Sequence, residues 1–224
     1  MKEHNGSFLL LLLTLYVSSL RAQAPGYLGK HTPIRIECSF FPALSPAIFQ
    51  NEPLRLNVRS AVSAEHVINR MISAGGSIGY FSVQSPYSYN GTWGDIRNSG
   101  LTLAGYLTVY AFHRRGNMAP LGPFSRWELI STRYQLRDLS RRFYPDMRSH
   151  LGSRSELILA LTLGEQRIFR DHLVWSYGIQ LGWVLNAGKI NGTEEEVYLY
   201  ALSVQRLRGY FALNAHCAVG ILLF

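Results

Sequence analysis

Arginine dominates the cationic chemistry available to this chain. Of its 22 lysines and arginines, only Lys2, Lys30 and Lys189 are lysine. A guanidinium stays charged, offers a rigid fork of donors and matches a carboxylate or phosphate with two parallel bonds. Two tasks suit such residues: ion pairing in a polar interior and phosphate binding at a surface. Arg35, Arg55, Arg59 and Arg126 each lie in a segment where polar and apolar residues alternate, and Glu37, Glu65, Glu128 and Glu156 occupy the matching polar positions. An unpaired buried arginine is costly, so these eight residues are expected to form an interior ionic network. Arg137, Arg141, Arg142, Arg148 and Arg154 lie in a stretch, 136–153 and its edge, where alternation lapses and Phe143 and Tyr144 intervene. The first four are candidate contacts for phosphate groups at a surface. A solvated basic loop is the competing reading.

Other chemistry is thinly represented. His66, His113 and His172 flank short connections, His216 falls within an alternating segment, and His150 lies near Asp146, Ser149 and Ser153. Nucleophilic catalysis needs a serine activated by a histidine, but polar residues close together are ordinary in a loop, so no catalytic residue is assigned and the chain is expected not to be an enzyme. Neither an H-E-x-x-H nor a C-x-x-C spacing occurs. The run Glu194-Glu195-Glu196 is expected to be a solvated loop, and Asn90-Gly91-Thr92 and Asn191-Gly192-Thr193 are read as turn signals. No cofactor or metal is expected. Nucleic-acid binding is not expected either, because most arginines stand singly among apolar residues rather than along one surface.

The elements that must position these side chains read as strands. The chain has 224 residues, 47% apolar and 16% charged, with 12% aromatics and two cysteines. Intrinsic disorder and a disulfide-dense scaffold are excluded. Eight segments alternate with the period of two that sends successive strand side chains to opposite faces: about 31–41, 54–68, 71–83, 100–113, 123–135, 155–168, 171–186 and 208–224. In 171–186, Leu173, Trp175, Tyr177, Ile179, Leu181, Trp183 and Leu185 share one face, and Ser176, Gly178, Gln180 and Gly182 the other. The connections alternate too. Asn69-Arg70, Phe169-Arg170 and 115–122 are short; 42–53, 84–98, 136–153 and 187–207 are long. Short turns at one end and long loops at the other mark outer-membrane barrels. In lipid every backbone group needs an internal partner, so the strands are expected to close into an eight-stranded antiparallel up-and-down transmembrane β-barrel whose interior is filled by side chains. A soluble barrel is the competing reading.

Residues 1–22 resemble a removable export signal, with Lys2 before an apolar stretch from Phe8 to Leu20 and small residues after it. Cleavage is expected after Ala22, or after Ala24, leaving 23–224 as the barrel domain. Removing Lys2, Glu3 and Arg21 lowers the formal charge from +8 to +7.

The chain resembles the small eight-stranded outer-membrane barrel proteins, of the OmpA/OmpX type and particularly those of Bacteroidota. The resemblance rests on Ala24-Pro25-Gly26-Tyr27-Leu28-Gly29-Lys30 before the first strand, Ala119-Pro120-Leu121-Gly122-Pro123 at a hairpin turn, and a last strand ending Gly220-Ile221-Leu222-Leu223-Phe224. The terminal aromatic looks like the signal read by the outer-membrane assembly machinery, although Phe224 falls in the inward register. The resemblance implies export to the outer membrane, with lipid, lipopolysaccharide and that machinery as partners and a structural or envelope-interaction role. The alternatives are a narrow pore or an accessory of a transport or secretion system and, third, a lipid A-modifying enzyme. Ligand, protein partner, conduction and oligomeric state stay open. If the first and last segments end flush and pair at the seam, Cys38 faces Cys217, both in the apolar outward set. The shear of a closed barrel is expected to displace this register, and a disulfide and two free thiols both remain open.

Overall fold

The computed structural model describes residues 29–42, 56–89, 92–111, 119–139, 150–186 and 194–223. Segments 1–28 and 43–55, with the expected export signal and Arg55, lie outside them, as do Arg141, Arg142, Arg148, His113 and Phe224. Eight antiparallel strands close into an up-and-down barrel: β1 Thr32–Pro42, β2 Leu56–Val67, β3 Ile72–Tyr89, β4 Thr92–Tyr110, β5 Gly122–Asp138, β6 His150–Phe169, β7 Leu173–Asn186 and β8 Asn214–Leu223. Every strand pairs with its sequence neighbours, and β1 with β8 closes the ring.

Alternation places the side chains as period two requires. Ile36, Val62, Ile78, Leu101, Leu103, Trp127, Leu163, Ile179 and Trp183 point outward and are exposed. Arg35, Glu37, Arg59, Glu65, Arg126, Glu128 and Glu156 point inward and are buried. The short turns follow local chemistry. Asn69 Oδ1 accepts from the N–H groups of Met71 (2.8 Å) and Ile72 (2.9 Å), an Asx turn. Arg170 and Asp171 both adopt positive φ between β6 and β7, as a tight hairpin with right-handed twist demands.

Three expectations are corrected. The stretch 84–98 is no loop: β3 and β4 continue as a ladder to Tyr89 and Thr92. The stretch 187–207 is not wholly loop: α1 spans Glu194–Ala212. Phe211 therefore belongs to a helix and is buried inside the barrel rather than on the outer face of the last strand. The helix obeys a different period. Leu199, Tyr200, Ser203, Val204, Leu207, Tyr210 and Phe211 are its buried residues, the stripe that 3.6 residues per turn aligns. Glu194 sets negative charge in the first turn, where the helix dipole favours it.

The lumen is filled in layers. At the short-turn end Val67, Tyr110, Ala119 and Phe124 pack together. At the other end Leu207, Tyr210 and Phe211 of α1 pack on Phe81, Val83, Ile130, Tyr134 and Ile158, and Leu199 on Ile96 and Leu136. Gly182 makes this docking possible: a Cβ there would come within 2.7 Å of the Phe211 carbonyl oxygen. No described helix is long and apolar enough to cross a membrane, which does not bear on strands.

At the seam, Cys38 is the direct register partner of Cys217. The flush register thus holds, and the expected displacement is absent there. The barrel takes up its stagger through unequal strands, 17 to 20 residues in β3–β6 against 10 to 12 in β1, β2 and β8. Both thiols are free and half-buried.

Candidate functional site

Between the two apolar layers lies a polar one, built by β1, β2 and β5 and lined by β3 and β4. Arg35 binds Glu65 and donates to Gln166 Oε1 at 2.6 Å and the Tyr106 hydroxyl at 3.2 Å. Arg126 donates to Glu37 Oε1 at 2.8 Å, with Glu65 Oε2 at 3.5 Å, and its guanidinium stands 4.5 Å above the Tyr106 ring. Arg59 donates to Glu128 Oε1 at 2.9 Å. Hydroxyls complete the carboxylates: Ser63 donates to Glu37 at 2.6 Å, Tyr110 to Glu65 at 2.9 Å, and Ser73 also binds Glu65. Gln180 donates to Glu128 Oε2 at 3.1 Å. The three arginines and three glutamates cancel in charge. Because breaking one partner strands another charge in low dielectric, such a cluster fixes geometry more than it adds stability.

Of the eight residues expected in this network, these six come together. Arg55 is outside the described residues. Glu156 is buried but stands apart, under the helix. It accepts from the Tyr134 and Tyr200 hydroxyls, each at 3.3 Å. Burial raises the Tyr200 phenol above its ordinary range, and the Glu156 carboxylate adds to that; burial likewise raises Tyr210, against the pull of Arg59. Both phenols remain neutral donors, and Tyr210 spends its proton on the Ser39 carbonyl at 3.2 Å. Asn98 and Ser203 also join strand to helix, at 3.1 Å.

Of the four expected phosphate contacts, Arg141, Arg142 and Arg148 lie outside the described residues. Arg137 lies within β5, exposed. Arg154 lies in β6 and turns toward the helix, its guanidinium 5.1 Å from the Tyr200 ring centroid. Among the histidines, His216 is buried with Nδ1 3.3 Å from Ser39 Oγ, while His66 and His172 are exposed near the short turns. The Ser39–His216 pair is enclosed in the wall below the helix. The described residues hold no group of three or more acids, histidines or cysteines placed to bind a metal.

The comparisons add no relative: no protein-family model matches the chain, and no curated protein matches it. Sequence reasoning missed the helical plug and the outward arginines Arg97 and Arg133. The 3.6-residue spacing from Leu199 to Phe211 was the available signal for the first. For the second there was none, because the stretch holding Arg97 read as a loop and Arg133 stood alone.

Proposed function

We propose that the chain is an integral outer-membrane barrel with a structural or envelope-interaction role, a closed lumen and no catalytic activity. The observation that carries this is the inversion of the molecule. Arg35, Arg59, Arg126, Glu37, Glu65 and Glu128 are inside, while Ile36, Ile78, Leu101, Leu103, Ile179 and Trp183 stand exposed around a closed ring of strands. Apolar surface on that scale is untenable in water and natural in hydrocarbon. Export by residues 1–22, insertion by the outer-membrane assembly machinery, and lipid and lipopolysaccharide as partners belong to this reading.

A closed lumen is supported by the apolar layer at each end, the upper one made by α1. The alternative, a narrow pore or an accessory of a transport or secretion system, finds some support in the unpaired polar groups of β6–β8. Fractionation and planar-bilayer recording separate the possibilities. The expected result is heat-modifiable migration, recovery with outer membranes and no unitary conductance. Recovery as a soluble periplasmic protein refutes the membrane reading, and steady conductance of the intact chain refutes the closed lumen.

A further inference from the structure

The outer face of β4 and β5 changes character along its length. Nearer the short turns it is apolar: Leu107, Leu103 and Leu101 on β4, Trp127 and Leu129 on β5, all exposed. Toward the long-loop end it becomes Ser99 and Arg97 on β4, then Ser131, Arg133, Gln135 and Arg137 on β5. The register sets Arg97 directly opposite Arg137, and Arg133 opposite Leu101. Opposed like charges on neighbouring strands destabilise a sheet, so this pairing has a cost that an anion between them would remove. Neutral acceptors reach the pair: Gln84 Oε1 lies 3.5 Å from Arg97, and Gln135 Oε1 lies 3.1 Å from Arg137. Asp95 is the acid on the same face of β4, beyond Arg97 on the side away from the apolar belt.

Placement selects the ligand. Guanidiniums bind phosphate oxygens through parallel bonds that an ammonium cannot reproduce. On β4 the apolar residues begin at Leu101, two outward positions from Arg97 and level with Arg133. A molecule with a phosphate head and acyl chains meets both surfaces at once, whereas a free anion uses only the first. We infer that Arg97, Arg133 and Arg137 form a binding site on the outer face of β4–β5 for the phosphate-bearing headgroup of an outer-leaflet glycolipid of the lipid A type, its chains lying along Leu101, Leu103 and Leu129. This rests on the membrane reading, which places the long-loop end at the outer leaflet.

The test uses the full-length mature protein refolded into phosphatidylcholine vesicles. Flotation and heat-modifiable migration first report insertion; failure there refutes the membrane reading itself. With insertion established, lipid A is titrated in mixed micelles and adducts are counted by native mass spectrometry. Arg97→Gln/Arg133→Gln/Arg137→Gln is expected to weaken binding about tenfold or more. Arg170→Gln, in the short turn at the opposite end, is expected to bind as the parent does. Arg97→Lys/Arg137→Lys keeps the charge but loses the forks; it is expected to fall in between, and it serves if the triple variant does not fold. Parental affinity in the folded arginine variants overturns the site. So does equal binding of phosphatidylglycerol, or displacement of lipid A by inorganic pyrophosphate at matched phosphate concentration, which would leave a general anionic patch.

Discussion

The lumen has two unlike walls. Strands β1, β2 and β5 project arginines and glutamates, which β3 and β4 meet with hydroxyls. Even Arg35 Nε and Arg126 Nη2, which make no hydrogen bond with the described residues, stand 3.6 and 3.5 Å from carboxylate oxygens. From Ala160 onward, β6–β8 turn inward Thr162, Gly164, Gln166, Ser176, Gly178, Gln180, Gly182, Asn214, His216, Ala218 and Gly220, with no acid or arginine among them. Here Thr162 Oγ1, Ser176 Oγ, Gln180 Oε1, His216 Nε2 and both amide atoms of Asn214 make no hydrogen bond with the described residues. The walls are complementary in size. A Cβ on Gly220 would approach Cα and Cγ of Arg35 to 2.7 Å, so the bare backbone of one wall makes room for the long side chains of the other. Charge demands pairing and therefore geometry; the small neutral residues supply space.

This contrast predicts a gradient of mutational cost. The largest belongs to the charged wall. Arg126→Met strips Glu37 and Glu65 of a partner and is expected to cost about 3–5 kcal/mol in reversible urea unfolding from lipid vesicles. A loss below 1 kcal/mol would mean that the ionic layer is hydrated and loose.

Next comes the outer side of the neutral wall. Leu181→Arg, near the middle of β7, is expected to destabilise by roughly 2–4 kcal/mol in the same assay. Exchanging its inward neighbour Gln180 for a polar residue of similar size should cost less, since mainly its bond to Glu128 is at stake. Equal penalties would contradict the facing and, with it, the membrane reading.

Two hydroxyl deletions sharpen the comparison further. Ser63→Ala removes a donor from the Glu37 carboxylate and is expected to cost about 1.5–3 kcal/mol. Thr162→Val, on the opposite wall, deletes a hydroxyl bonded to nothing described and keeps the shape. It is expected to lie within about 0.5 kcal/mol of the parent, or to stabilise, because no made bond is lost. If the two variants lose stability equally, the walls are alike in energy and the contrast is only one of composition.

Much of this architecture was legible along the chain, because a strand's facing is a local property. Period two alone sorts Arg35 from Ile36 and Gln180 from Leu181. Barrel closure follows once all eight segments have an apolar face and no strand edge can be left open. Even the Cys38–Cys217 juxtaposition follows from two flush terminal strands. What the alternation could not convey was where it should stop. The stretch 84–98 reads as a loop because its outward residues turn polar above the apolar belt, yet the ladder continues there through backbone bonds that ignore side-chain type.

The sequence by itself determined eight alternating segments, most of their inner and outer faces, and a set of eight arginines and glutamates that contains the six neutralising one another inside. Tertiary structure alone decided the partners: that Arg126 reaches across to Glu37 and Glu65, that Glu156 is served by tyrosines rather than arginines, that Phe211 enters the lumen, and that Arg97 meets Arg137. The physical reason is the range of the forces. Facing is set by covalent geometry within two residues, whereas partnership depends on registers accumulated strand by strand around a closed ring, where one residue of slip exchanges every neighbour.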